Sequence, residues 1–176
     1  MTDETARRIG FTEILYSVVI ATALSRLSFG VSLRNAMLLF AVLILLSDWV
    51  EYIAGIEKTD GSVSGMRIFA ADMLVLLVWN TIAIIPSEEF FWYVAFLGVF
   101  FMSQQVWELI ADRYSSIELL TTPTTGLVVA YVGMAIAVNA DLVEDHISLA
   151  LCVLLFIIAK TPAWLRIQSR EEPIQI

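Results

Sequence analysis

Six carboxylates stand within or at the edges of runs that are otherwise apolar: Glu13, Asp48, Glu51, Asp72, Glu108 and Asp112. Asp48 and Glu51 are three residues apart, and Gln105, Glu108 and Asp112 are spaced by three and four, so on helices each group shares a face. A carboxylate facing hydrocarbon costs several kcal/mol, whereas one turned into a protein interior can be protonated, hydrogen-bonded or paired. Such a set can therefore be a polar knot that ties helices together, or an electronegative vestibule that draws in cations and titrates. Both readings stay open at this point. Lys160, Arg67 and Arg113 are the basic side chains that could partner it.

A second pattern runs along the first apolar segment, where hydroxyls recur at Thr12, Ser17, Thr22, Ser25 and Ser28. Val18, Thr22 and Ser25 are spaced by four and three and so line one side of a helix. That face suits a water-filled lumen, with valine as an apolar constriction and hydroxyls beyond it. The competing reading is that these hydroxyls bond their own backbone one turn back.

Enzyme chemistry has no comparable signature. There is no HExxH, no Gly-rich phosphate loop and no pairing of nucleophile with base. A di-iron bundle wants Glu-x-x-His pairs on two helices, and the single histidine, His146, falls in a connection. Neither a cofactor nor a resident metal is expected. An oxygen-only carboxylate site would suit magnesium, calcium or manganese, which keeps a divalent-cation or proton-coupled carrier as the alternative function. A non-transporting accessory subunit is the third.

The elements that must position these groups follow from composition. Of 176 residues, 59% are hydrophobic and 16% charged, against roughly 25% charged in an ordinary soluble domain. The mean hydropathy is +0.83, and at about 20 residues per span the chain has room for about six spans. Apolar runs bounded by charge or by Gly and Pro cover 10–28, 35–55, 67–85, 90–111, 125–142 and 147–165. The first contains Glu13, follows an acidic start and has no small-residue cleavage pattern, so it reads as a retained helix and not a signal peptide. A net charge of −8 speaks against a nucleic-acid surface, and the single Cys152 leaves no disulfide within the chain.

With the N-terminus inside, Arg7, Arg8, Lys58, Arg67, Arg113, Lys160, Arg166 and Arg170 fall on the inner side, and Arg26 and Arg34 on the outer. That bias places both termini in the cytoplasm of a cell, or inner, membrane. All six carboxylates then belong to the cytoplasmic half, with Asp48 about 10 Å of helix before Gly55. The fifth segment carries a stripe of small residues, Gly126, Ala130, Gly133, Ala137 and Ala140, expected to be a packing seam within the bundle or between subunits. Trp79, Trp92, Trp107 and Trp164 read as interfacial anchors.

The opening of the first segment adds a resemblance. Phe11, Thr12 and Glu13, then Tyr16, Ser17, Val18, Val19, Ala21 and Thr22, with Arg7 four residues ahead, resemble the Phe-Ser-Asp signature of the six-helix potassium channels of lysosomes and many prokaryotes. Thr12 stands for the serine, Glu13 for the aspartate, and Glu51 and Tyr52 stand where histidines accompany Trp49 on the second helix. The resemblance implies a homotetramer of six-helix units, with no filter of backbone carbonyls. Helix 1 would line the pore, Val18 would take the place of the constricting isoleucine, and Ser17, Thr22 and Ser25 would lie beside it. Phe11, Thr12 and Glu13 would belong to a hydrogen-bonded network at the cytoplasmic end.

The expectation is thus an all-α polytopic membrane protein of six transmembrane helices, forming one domain over 1–176. It would conduct monovalent cations, potassium by the resemblance. Its pore would be lined by Val18, Thr22, Ser25 and Ser17, with an inner network of Phe11, Thr12, Glu13, Asp48, Glu51, Asp72 and Glu108 tuning its opening.

Overall fold

The computed structural model describes the backbone of residues 3–56, 65–85, 89–111 and 115–168, and side chains over 12–52, 67–85, 89–111, 115, 117–162 and 164–165. Among the described residues the protein is all helical. The helices are α1 (Asp3–Ser25), α2 (Leu33–Ile56), α3 (Gly65–Ile84), α4 (Phe90–Ile110), α5 (Ser116–Leu120), α6 (Pro123–Asn139) and α7 (Asp145–Gln168). Each of the six apolar runs read from sequence becomes one helix, and the link between the fourth and fifth adds the short α5. Four helices, α2, α3, α4 and α7, are long and apolar enough to cross a membrane, while the apolar parts of α1 and α6, Thr12–Ser25 and Pro123–Asn139, are shorter.

Local signals account for the ends. Thr122 caps α6 by accepting from the Thr125 backbone N–H, and Pro123 occupies the first turn, where a missing N–H costs nothing. Ser115 and Glu118 form a reciprocal capping box at α5. The exposed Glu118 carboxylate is held below the ordinary range by hydrogen bonds from the Ser115 backbone N–H and then from its hydroxyl. Between α1 and α2 the Asn35 amide donates to the carbonyls of Ser28 and Gly30, both at 2.7 Å, and its oxygen accepts from the Ser28 N–H. Gly30 turns the chain there at φ +113°, a conformation open to glycine.

Side-chain pairs fix the packing. Tyr16 of α1 meets Asp48 of α2, Tyr52 of α2 meets Asp72 of α3, Trp107 of α4 meets Asp72, and Lys160 of α7 meets Glu51. Successive long helices therefore alternate in direction, and one end of the bundle collects the start of α1, α3 and α6 with the end of α2, α4 and α7. The centre is α4, whose Tyr93, Val94, Leu97, Phe100 and Phe101 are all essentially inaccessible. Its rings pack on Trp79 of α3 (centroids 4.7 Å apart) and on Tyr131 of α6 (5.3 Å). Gly98 sits at the α4–α6 crossing, where a Cβ would stand 3.4 Å from the Val132 side chain; the bare backbone lets the two helices close up.

Two expectations change here. The small stripe on α6 is not a seam within the bundle: a Cβ on Gly126 or Gly133 would meet nothing within 4 Å, and the inward face is Thr124, Leu127, Tyr131, Ala135 and Val138. Large side chains fill the interior volume better than small ones, and Tyr131 also delivers its hydroxyl to the Cys152 carbonyl at 2.8 Å. The tryptophans are not four anchors. Trp92 is exposed, but Trp79 is 1% exposed in the core, and Trp107 and Trp164 donate to Asp72 and Ser47 at 2.7 and 3.0 Å.

Candidate functional site

At the polar end, α1, α2, α3 and α4 surround a cavity of about 50 Å³ lined by Thr12, Tyr16, Asp48, Glu51, Tyr52, Asp72, Val75, Gln104, Trp107 and Glu108. Periodicity puts them there. Thr12 and Tyr16 are one turn apart on α1, Asp48, Glu51 and Tyr52 one turn on α2, and Gln104, Trp107 and Glu108 one turn on α4.

Each buried aspartate accepts from at least two donors among the described residues. Asp48 accepts the Tyr16 hydroxyl at 2.7 Å and the Gln104 amide; Asp72 accepts the Tyr52 hydroxyl at 3.1 Å and the Trp107 indole N–H at 2.7 Å. A desolvated carboxylate needs such donors. They come from three different helices, so the two acids tie α1, α2, α3 and α4 into one unit.

Beside the cavity, Glu51 forms an ion pair with Lys160 of α7 at 2.8 Å, with side chains 27% and 7% exposed. Ser47 donates to Glu51 at 3.4 Å and receives the Trp164 N–H. Removing one partner of a desolvated pair strands the other charge. Lys160→Met should therefore lower the stability of the detergent-solubilised protein by about 2 kcal/mol, and the double variant Lys160→Met, Glu51→Met should recover most of it. A full double-mutant cycle in chemical unfolding checks this; additive losses would contradict it.

Of the expected network, Thr12, Asp48, Glu51, Asp72 and Glu108 all line the one cavity. Glu13 does not: it lies exposed on the far side of α1, because Thr12, 1% exposed, and Tyr16 take the inward positions. The side chains of Arg7 and Phe11, and the residues Asp112 and Arg113, lie outside what the structure describes. Sequence reasoning passed over Tyr16, Tyr52, Gln104 and Trp107. The available signal was that each stands within one helical turn of an acid or on the turn facing one, as donors for a buried carboxylate must.

The expected lumen residues occupy the opposite face of α1. Glu13, Ser17, Val18 and Ser25 are exposed, Thr22 is half-buried, and Val18 is 56% exposed. Among the described residues, no helix buries this side of α1 at Glu13, Ser17, Val18 or Ser25. The hydroxyls bond one turn back on their own helix: Ser17 to the Glu13 carbonyl, Thr22 to the Val18 carbonyl and Ser25 to the Thr22 carbonyl, each at 2.8 Å. That bonding uses the hydroxyl protons and leaves the oxygen lone pairs free to accept.

Comparison with protein-family models, with curated proteins and with solved structures finds no match for this chain.

Proposed function

We propose that the protein is a cation channel, selective for potassium by the resemblance of its first helix, in which several copies surround a central path lined by α1. The observation that carries this reading is the face of α1 that its own bundle leaves uncovered. Glu13, Ser17, Ala21 and Ser25 follow one another there at intervals of four, with Val18 beside them. A row holding a carboxylate and two hydroxyls is a poor surface for hydrocarbon and a good one for water. Hydroxyl oxygens whose protons are already bonded inward present lone pairs outward, which is what a partly dehydrated cation needs. Val18 provides the apolar ring that closes such a path by dewetting.

In this reading all of the six long or shorter apolar helices span the cell membrane. The carboxylate end is cytoplasmic, in keeping with the Lys and Arg bias, and the copies number four by the same resemblance. The cavity of each protomer favours a second reading, a proton-coupled or divalent-cation carrier, whose transport would saturate and would depend on Asp48 or Glu108. Reconstitution into liposomes, with potassium, sodium and proton flux measured separately, tests the proposal. Potassium flux that does not saturate as a carrier's would supports the channel. Saturable flux lost in Asp48→Asn supports the carrier, and no flux for any ion removes both and leaves an accessory subunit.

A further inference from the structure

The turn that joins α1 to α2 lies at the end of the bundle opposite the carboxylates, and its apolar side chains are covered by no described residue. Phe29 and Val31 are the most exposed large apolar side chains among the described residues. They flank Gly30, whose φ of +113° bends the chain between them. We propose that this turn is a lipid anchor: Phe29 and Val31 dip into the bilayer interface, and the guanidiniums of Arg26 and Arg34 bind lipid phosphates beside them.

Backbone bonding and charge both point to that occupant. The buried Asn35 amide donates to the Ser28 and Gly30 carbonyls, and its oxygen accepts from the Ser28 N–H and hydroxyl. A turn in water can leave such carbonyls to solvent, whereas one that meets lipid must satisfy them within the protein. Arg26 and Arg34 stand three residues outside the apolar pair on either side, both exposed. Arg26 spends one N–H on the Ile84 carbonyl at 3.1 Å, and among the described residues neither arginine is paired with a carboxylate. The acids at this end, Glu89, Asp141, Glu144 and Asp145, belong to the other two connections. A guanidinium grips a phosphate through parallel N–H bonds, and its apolar stem can lie along acyl chains while the head reaches the phosphates. A second copy seated turn against turn would instead set these guanidiniums against their own like charge. Length agrees with the anchor. The apolar part of α1, Thr12–Ser25, rises about 20 Å at ~1.5 Å per residue, short of roughly 30 Å of hydrocarbon, so a span made by α1 draws the turn after it towards the apolar layer.

The anchor requires a membrane around the bundle but no conduction, so its test reads no flux. Phe29→Cys and, separately, Val31→Cys in a Cys152→Ala background take a nitroxide spin label, with Glu144→Cys on the α6–α7 connection as the reference. The full-length protein is reconstituted into vesicles of phosphatidylcholine, alone or mixed with phosphatidylglycerol. Collisions of the label are then measured with oxygen, which concentrates in lipid, and with a neutral nickel chelate, which stays in water. At 29 and 31 oxygen collisions should exceed nickel collisions several-fold and stand well above the ratio at 144. Phosphatidylglycerol should raise that ratio, and Arg26→Gln with Arg34→Gln should remove the rise. Nickel dominating at either position would put the turn in water. Few collisions with both reagents would mean that protein, such as a second copy, covers it. A ratio blind to phosphatidylglycerol, or a rise that survives loss of both arginines, would deny the phosphate contact. Each of these results overturns the proposal. The two labelled positions are independent, and the lipid comparison is read with both arginines in place, so a variant that fails to fold leaves the test standing.

Discussion

Asp72→Ala should be the most damaging single change in the bundle, lowering the stability of the detergent-solubilised protein by about 3 kcal/mol. Asp72 is 4% exposed and is the acceptor for both the Tyr52 hydroxyl and the Trp107 indole N–H. Truncation leaves two buried donors without the carboxylate they bonded, and each orphaned group costs desolvation that the hydrogen bond had offset. The loss also spreads, because those donors come from α2 and α4 and the acceptor from α3. Asp72→Asn keeps one acceptor oxygen of the same shape and should lose about 1 kcal/mol. Unfolding followed by tryptophan fluorescence measures the order: Ala well below Asn, and Asn modestly below the natural protein. Equal midpoints for all three would mean that Asp72 ties nothing together.

Val18 should have the largest effect on flux. If its side chain closes an apolar ring on the path, shortening it wets the constriction. Val18→Ala should then raise potassium flux about tenfold, equivalent to ~1.4 kcal/mol off the barrier. Val18→Trp should abolish flux while leaving folding alone, because the position is 56% exposed on the protomer and has room for a larger side chain. Liposome flux on protein of matched melting behaviour separates these effects from misfolding. A valine facing lipid would tolerate both changes with flux unaltered.

The elements were legible because hydrocarbon imposes a strong rule: about 20 apolar residues per span, with breaks at charge, Gly and Pro. The level shared by Asp48, Glu51, Asp72 and Glu108 was legible for a related reason, since alternating helices of similar length bring the end of one beside the start of the next. Rotation about each helix was harder. Thr12 and Glu13 are neighbours in sequence yet one faces the cavity and the other faces out, since 3.6 residues per turn sets adjacent side chains roughly 100° apart. The partners of the aspartates were hidden in residue types that sequence reading assigns to interfaces or cores. Trp107 looks like an anchor until its N–H is seen on Asp72. The α6 stripe does not pack within the bundle at Gly126 or Gly133, because small residues permit close approach without requiring it; where α6 crosses α4, the glycine at the contact is Gly98 of α4.

The most direct test of a shared path along α1 is disulfide cross-linking of Val18→Cys in a Cys152→Ala background, which removes the one native thiol, itself buried. If α1 surrounds an axis, oxidation in membranes should link neighbouring copies through position 18. The linked product should run as a dimer without reductant, and potassium flux should stop on oxidation and return on reduction. Thiols that stay monomeric under oxidation, and that react with lipid-soluble maleimides but not with charged methanethiosulfonates, would place this face against lipid and contradict the proposed channel.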